Sequence, residues 1–419
     1  MKISIHSPSG RNGRRGSMSG IELPEFSPEL ALVIACSRWP LGESERREIR
    51  TRAATPIKWN LFLAWVQRNR IAPLVYHNLR QTACPLVPEA VVLQLQSEFA
   101  RNALRVLAQI AEAARISRLL ADAGIRSMVI KGPVLSQLAF GDPILRESGD
   151  IDIVIDPVRV PEVDRMIIKA GYRRLVPDAE FPLALYETYR RRRCQFAYNL
   201  QTRDLYLELH WRLTTNPLLM PLDARMSWSR SEPVHVAGAN FVTLPDEELF
   251  LYLCVHGSVH MWFRLKWLAD IAALLRKLHP EVIDRIASRA RVLGLDRSFH
   301  QAMILAHKLM LAPVPPQILT TACGDRAARQ LAIATCRALN WHASPEEPIE
   351  TQWFSAWLNW HAFSLRPGLR FRWRELQNQM FSPEDLVRIR LPESLFFLYL
   401  PLRPLSWVMR NVQRLLTTS

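Results

Sequence analysis

Long apolar stretches are missing from this sequence. No run of 18 or more uninterrupted apolar residues occurs in its 419 positions, and a helix needs about 20 such residues to cross a bilayer. Residues 1–20 are rich in Ser, Gly and Arg and lack the apolar segment of a signal peptide. We therefore expect no membrane span, and a disordered basic tail over residues 1–22.

Cysteine is scarce and scattered. No two of the six cysteines form a C-x-x-C pair, so structural zinc and a disulfide framework are both disfavoured, and a reducing cytoplasm is the expected compartment. The cysteines are Cys36, Cys84, Cys194, Cys254, Cys323 and Cys336.

Acidic residues are too few to balance the basic ones. The sequence has 54 Lys and Arg against 39 Asp and Glu, which gives a net charge of +15. A positive charge of this size favours anionic binding partners, such as nucleotides, nucleic acid or a membrane surface. No run alternates aromatic with basic residues, so a stacking groove for single-stranded nucleic acid is not indicated. The run Arg190–Arg193 is either a solvated helix end or a phosphate or RNA contact.

Hydrophobic periodicity divides the chain into helical and mixed parts. The predicted class is α+β, with a small mixed sheet embedded between N-terminal and C-terminal helical domains. The predicted divisions are a tail (1–22), a helical domain (23–123), an α/β core (124–244), a second helical domain (245–345) and a C-terminal helical segment (346–419).

Two aspartates alternate with isoleucines just before Val154. Asp150 and Asp152 therefore share one face of a predicted strand, while Ile151 and Ile153 point into a core. Carboxylates held on one face repel each other, and a divalent cation relieves that cost. Oxygen ligands favour Mg²⁺ or Mn²⁺ over zinc, although paired acids on a solvated edge strand are also common.

Further charged residues stand near this pair in the sequence. Lys131-Gly132 lies at a predicted strand-to-helix turn, where backbone N–H groups and the lysine suit a phosphate. Arg146 precedes the aspartates and can serve the same anion. Glu208 lies on the opposite face of its predicted strand from the neighbouring leucines, so it can supply a third carboxylate. Residues 194–200 and 205–213 are predicted to form an antiparallel hairpin.

Together these motifs resemble the DNA polymerase β-like nucleotidyltransferase superfamily, and within it an uncharacterised nucleotidyltransferase family. The likeness extends from about Trp59 to about Pro315. Lys-Gly replaces the usual Gly-Ser or Gly-Gly turn, and the third acid is Glu where many relatives have Asp. The motifs are Lys131-Gly132, Arg146, Asp150-Ile151-Asp152, Glu208-Leu209-His210-Trp211 and the segment from His256 to Asp270.

The segment from His256 to Asp270 offers a second set of polar residues. His256 and His260 have the spacing of zinc ligands, but the glutamate that follows the first histidine in metalloproteases is absent. A polar helix face beside the cleft is therefore favoured. The resemblance implies that Lys266 holds a triphosphate or the acceptor, with Asp270 orienting it at i,i+4.

The resemblance implies two-metal nucleotidyl transfer from an NTP to a hydroxyl of a small molecule, tRNA or protein, with release of pyrophosphate. The alternative is an inactive nucleotide- or RNA-binding regulatory protein of the same fold. An amphipathic segment over residues 395–419 either caps a helical domain or contacts a membrane peripherally. The predicted catalytic and metal-binding residues are Asp150, Asp152 and Glu208. The predicted nucleotide-binding residues are Lys131, Gly132, Arg146, Ser148 and Lys266.

Overall fold

A computed structural model describes residues 23–178, 181–221, 228–231, 233–340, 357–358 and 361–380, with the single positions 395 and 398. These residues form fifteen α-helices, one five-stranded mixed sheet and one two-stranded sheet. The predicted α+β class is confirmed. The predicted tail and most of the predicted C-terminal segment lie outside the described residues.

Five helices precede the sheet. The first has Pro28 at its first position, and the side chain of Ser27 accepts a hydrogen bond from the backbone N–H of Leu30, as expected for a helix cap. The fifth is 34 residues long. Its first half packs with the other helices and its second half packs on the sheet. The helices are α1 (Pro28–Cys36), α2 (Glu43–Ala53), α3 (Trp59–Arg68), α4 (Ala72–Thr82) and α5 (Glu89–Asp122).

The main sheet has the strand order β1-β2-β5-β4-β3. Its central pair, β2 and β5, is parallel, and the other pairs are antiparallel. The antiparallel pairing of β4 with β5 confirms the predicted hairpin. The strands are β1 (Ser127–Val129), β2 (Asp150–Ile155), β3 (Arg173–Val176), β4 (Gln195–Leu200) and β5 (Leu205–His210).

One face of this sheet is apolar because isoleucine and leucine occupy alternate positions of the central strands. Ile151 and Ile153 of β2 pack with Leu207 and Leu209 of β5 in a core that also contains residues of α5. The helices inserted between strands are α6 (Gly132–Phe140), α7 (Val160–Lys169) and α8 (Leu183–Arg192). A hairpin of β6 (Pro233–Val236) and β7 (Ala239–Val242) follows β5.

The remaining helices share one hydrophobic core with α1–α4. This shared core extends from Leu30 to Phe371, and the five-part domain division remains a prediction. Among the described residues, no helix combines the length and the apolar character needed to cross a bilayer. The helices are α9 (Asp246–Val259), α10 (Leu265–Leu275), α11 (Pro280–Leu293), α12 (Asp296–Met310), α13 (Pro316–Gly324), α14 (Arg326–Asn340) and α15 (Leu369–Met380).

The turn between α9 and α10 is backbone-strained. Met261 and Trp262 have φ angles of 50° and 53°, in the left-handed region that side chains with a Cβ rarely adopt. The Trp262 ring is buried and lies over Gly257 of α9. A Cβ on Gly257 would lie 2.4 Å from that ring. Glycine at position 257 therefore allows the ring to hold the turn in place.

Replacement of Gly257 by alanine should destabilise the fold by about 1–3 kcal/mol, because the new methyl group overlaps the buried indole ring. Chemical denaturation of the parent and of Gly257→Ala measures this change. Gly324→Ala is the matched control: Gly324 also lies in a helix, and a Cβ added there would have nothing within 4 Å. The control should be neutral or stabilising by less than about 1 kcal/mol. Equal stability of the two variants would contradict the packing argument.

Candidate metal and phosphate site

The parallel pairing of β2 with β5 brings the predicted carboxylates together. Asp152 is the register partner of Glu208, and Asp150 is the partner of Tyr206. Paired residues on adjacent strands point to the same face, so the acids share the face opposite the apolar core. One ligand atom from each of Asp152, Glu208 and His210 lies within 4.8 Å of the others. These three residues form a candidate metal site.

His210 belongs to this group although the sequence did not identify it as a ligand. Its Nε2 lies 3.1 Å from Oδ1 of Asp152 and 3.3 Å from Oε2 of Glu208. The available signal was its position two residues after Glu208, on the same face of the strand. Hydrogen bonds to Asp152, Cys194 and Glu208 outweigh burial and raise the pKa of His210 well above its usual value.

Asp150 borders the same cavity but is not one of the three clustered residues. Burial, together with the neighbouring carboxylate of Asp152, raises the pKa of Asp150. Burial would also raise the pKa of Asp152, but Lys131 and His210 hold it below its usual range. The environment therefore favours a negative charge on Asp152 and disfavours a second one on Asp150 unless a further cation is present.

Lys131 is the main counter-charge of Asp152. Its Nζ lies 2.7 Å from Oδ1 of Asp152, and both side chains are buried. Lys131 caps α6, and Gly132 follows with a φ of +63°. A Cβ at Gly132 would lie 3.2 Å from Oγ of Ser148, which donates a hydrogen bond to the carbonyl of Asp150. Gly132 and Ser148 shape the turn, whereas Lys131 itself borders the cavity.

The site cavity has a volume of about 470 Å³. Carboxylates of β2 and β5 occupy its sheet side, Glu375 of α15 also borders it, and cationic side chains from separate parts of the chain complete the lining. A cavity with this charge distribution suits a polyanion such as a polyphosphate chain. The cations that border it are Arg70, Lys131, Arg146, Arg264 and Lys266.

Arg146 and Lys266 have different partners from those the sequence indicated. Nε of Arg146 donates to both carboxylate oxygens of Asp270, at 3.0 and 2.9 Å, in a buried ion pair. Nζ of Lys266 instead donates to the carbonyl of Glu147 at 3.2 Å. The expectation that Asp270 orients Lys266 is therefore wrong. Asp270 orients Arg146, and both cations still border the cavity.

Burial lowers the pKa of Lys266 to about 7, and the positive charges of Arg146 and Arg70 act in the same direction. The negative charges of Asp150 and Glu147 oppose this shift. An anion bound in the cavity would favour the protonated form of Lys266.

Aromatic and imidazole rings form another wall of the cavity. His256 and His260 lie 4.8 Å apart between ring centroids, and each lies 5.2 Å from Trp267. Burial and the charge of Lys131 lower the pKa of both histidines, that of His260 to about 4. The two rings are therefore neutral at physiological pH. Among the described residues neither belongs to a metal-ligand group of three or more residues, and both border the site cavity.

The arginine run at the end of α8 lies against the start of β4. Arg190 pairs with Glu187 at 2.7 Å, and Arg212 donates to the carbonyls of Arg190, Arg191 and Arg193. These bonds fix the backbone of the run. A nucleic-acid contact through its side chains remains a prediction.

Comparison with known protein families shows which family this chain belongs to. Residues 55–311 match a family described as "Uncharacterised nucleotidyltransferase". The chain belongs to this family. The match covers more than half of the chain and includes every predicted site residue from Lys131 to Lys266. A search of curated proteins finds no match.

The residues of the site fit the divalent cation that a nucleotidyltransferase fold implies. Oδ2 of Asp152 is buried and, among the described residues, has no hydrogen-bond partner. An orphaned carboxylate oxygen of this kind is costly unless a cation or water satisfies it. Two carboxylates and one imidazole are suitable ligands for Mn²⁺ and, through their oxygens, for Mg²⁺.

Binding of inorganic triphosphate at pH 8 should be accompanied by proton uptake at Lys266. At that pH the side chain is mostly neutral in the free protein, because its pKa is about 7, and a nearby polyanion raises this pKa. At pH 6 the lysine is already charged, so the uptake should largely disappear. Calorimetry in buffers of different ionisation enthalpy measures the protons exchanged.

Any proton uptake that remains in the Lys266→Met variant belongs to triphosphate itself and is subtracted. Lys169→Met is the control, because Lys169 lies at an exposed position at the end of α7. Uptake at pH 8 should fall in the first variant and persist in the second. The same uptake in parent and Lys266→Met would contradict the assignment.

Proposed function

We propose that this protein is a metal-dependent nucleotidyltransferase that moves an NMP group from an NTP to a hydroxyl of an acceptor and releases pyrophosphate. The observation that carries the proposal is the pairing of Asp152 with Glu208 on parallel strands, inside a cavity bordered by cationic side chains. The acids suit a divalent cation, and the cations suit the phosphate chain of its substrate.

Asp150, Asp152 and Glu208 are the proposed metal-binding and catalytic residues, with His210 as an additional ligand. Bound Mg²⁺ or Mn²⁺ would supply positive charge to the phosphate oxygens and to the attacking oxygen. Asp152 is held in its charged form by Lys131 and His210, so it needs to lose no proton to bind a cation. The pKa of His210 is raised well above its usual value, so His210 must release a proton before its imidazole can act as a ligand.

Lys131, Arg146 and Lys266 are the proposed phosphate-binding residues because they border the site cavity together. The acceptor oxygen forms a bond to the α-phosphorus, and the bond from that phosphorus to the bridging oxygen breaks. Pyrophosphate leaves with the bonding electron pair, and the hydroxyl proton passes to Glu208. The Glu208 side chain is 26% exposed and can release this proton to water.

The proposal also includes the location of the protein, an RNA contact and a membrane contact. Five described cysteines are free thiols (Cys36, Cys194, Cys254, Cys323 and Cys336), which supports a cytoplasmic location. Contact of the Arg190–Arg193 run with an RNA acceptor is supported by its charge. Peripheral membrane contact through residues 395–419 rests on the sequence pattern.

Removal of the carboxylates tests the reaction. Asp150→Asn, Asp152→Asn and Glu208→Gln should each lower nucleotidyl transfer by at least about 100-fold, because each removes a carboxylate that would hold the cation needed by the reacting phosphate. Incubation with α-phosphorus-labelled NTPs and cell extract, followed by gel and thin-layer separation, measures the transfer.

Glu162→Gln is the matched control, since Glu162 of α7 forms a surface ion pair with Arg159 at 2.8 Å. Thermal unfolding establishes that each variant is folded, a necessary check because Asp152→Asn leaves Lys131 without its counter-charge. A double Asp150→Asn/Asp152→Asn variant that transfers nucleotide at the parent rate would exclude the proposed reaction. Nucleotide binding without transfer by the parent would favour the regulatory alternative.

Metal preference provides a second test. An imidazole ligand suits Mn²⁺ better than Mg²⁺, so we expect about tenfold tighter binding of Mn²⁺ by the parent. His210→Gln should remove most of this difference, and Glu208→Gln should weaken binding of both ions. Calorimetric titration of each ion gives the affinities without reference to activity. Equal affinities for the two ions in the parent would argue against His210 as a ligand.

A further inference from the structure

Two of the proposed catalytic carboxylates border a second cavity. This second cavity has a volume of about 370 Å³, and Asp150 and Glu208 border both it and the site cavity. Arg70 is also common to the two. Lys131, Arg146 and Lys266, which are proposed to bind phosphate, border the site cavity and not the second cavity. Asp150 and Glu208 therefore lie between a cavity that contains the proposed phosphate-binding cations and a cavity that contains none of them.

The strand register explains why there is room beside Glu208. On β4, the residue that pairs with Glu208 is Ala197, and its small side chain leaves space above the sheet. Tyr206 lies two positions before Glu208 on the same face, next to Asp150 on β2. Its side chain is 44% exposed, which is unusual for a large aromatic residue in a central strand. Tyr206 therefore provides an accessible aromatic surface next to the catalytic acids.

Charges in the second cavity are mixed in sign. Arg70 lies 3.9 Å from Glu147, and both border the cavity. Arg105 and Asp204 add one charge of each sign to its rim, and Asp150 and Glu208 bring its lining to four carboxylates against two arginines. The excess of carboxylates disfavours an anionic group in this cavity, and the two arginines disfavour a strongly cationic one. A neutral ligand with many hydroxyl groups would find hydrogen-bond donors and acceptors together.

We infer that the second cavity binds the acceptor, and that the acceptor presents a sugar ring that stacks on Tyr206 with one hydroxyl directed at Asp150 and Glu208. The volume suits a group of one or two rings, and an aromatic face beside polar side chains suits the flat apolar face of a sugar. This inference rests on the proposed function. A free saccharide and the terminal ribose of an RNA share this chemistry, and the phosphates of such an RNA would lie outside the cavity, away from its carboxylates.

The arrangement places the two reactants on different sides of the acids. The sugar oxygen enters from the second cavity and forms its bond to the α-phosphorus of an NTP that occupies the site cavity. The bond to the bridging oxygen breaks, and pyrophosphate leaves on the side of Lys131 and Arg146. The proton passes to Glu208, which borders both spaces. Attack and departure on opposite sides are what in-line displacement requires.

Blocking the second cavity tests the inference on the folded protein. Tyr206→Cys introduces a thiol at an exposed position, which is then modified with a bulky maleimide. Val242→Cys on β7 is the matched control, because Val242 is similarly exposed at 39% and borders neither cavity. The parent, treated with the same maleimide, accounts for reaction at the native thiols. Tyr206→Phe and Tyr206→Ala test the ring without chemical modification.

Two measurements are made on each protein. Calorimetry with Mn²⁺ and each NTP gives the nucleotide affinity. Transfer is followed from α-phosphorus-labelled NTPs to a single-stranded oligoribonucleotide with a free 3′ hydroxyl, to a panel of free mono- and disaccharides, and to cell extract. The first two acceptors distinguish the two sources of a sugar hydroxyl.

The modified Tyr206→Cys protein and Tyr206→Ala should lose transfer by about 100-fold or more, because the acceptor is no longer positioned, while nucleotide affinity stays at the parent value. Tyr206→Phe and modified Val242→Cys should retain transfer. Transfer at the parent rate by the blocked protein would overturn the acceptor site and leave the proposed function intact. Label found only in protein would overturn the sugar class. Absence of nucleotide binding and transfer in the parent would overturn the proposed function, and the inference with it.

Discussion

The parallel pairing of β2 with β5 is the constraint on which the site depends. Parallel strands cannot be joined by a short turn, and here the connecting chain contains α7, β3, α8 and β4 before it returns as β5. The register of this pair places Asp152 beside Glu208. Because side chains alternate, a shift of one residue would direct Glu208 into the apolar core. Packing of the isoleucines and leucines on the other face therefore fixes the position of the acids.

Charge balance is the second requirement, because Asp152 is only 1% exposed. A buried carboxylate without a partner is strongly disfavoured, and Lys131 and His210 supply its counter-charges. The cations around the cavity repel one another in turn. Arg146 is neutralised by the buried Asp270, and Lys266 responds with a pKa near 7. Several basic side chains can therefore lie together around a polyanion site while their mutual repulsion destabilises the folded state only to a limited extent.

Local patterns predicted the parts of the site that lie within single strands or turns. The alternation of polar and apolar residues predicted that Asp150 and Asp152 share a strand face and that Glu208 lies on a polar face. The Lys131-Gly132 turn has the predicted strand-to-helix geometry. Partners that depend on tertiary packing were not predictable. Asp270 was paired with Lys266 by helical spacing, but its partner Arg146 lies 124 residues away in the sequence. His210 shares a strand face with Glu208, which the sequence shows, but its contact with Asp152 depends on the register of β5 against β2.

The helices outside the sheet are part of the site and do more than support it. Arg70, which follows α3, borders both cavities. Rings from α9, from the turn after it and from α10 form a wall of the site cavity. Each left-handed residue in that turn costs about 1–3 kcal/mol, and burial of the Trp262 ring against Gly257 offsets part of this cost. The strained residues Met261 and Trp262 are themselves buried and do not border the site cavity. Their neighbours on either side, His260 and Phe263, do border it, so the left-handed turn sets the position of part of the ring wall.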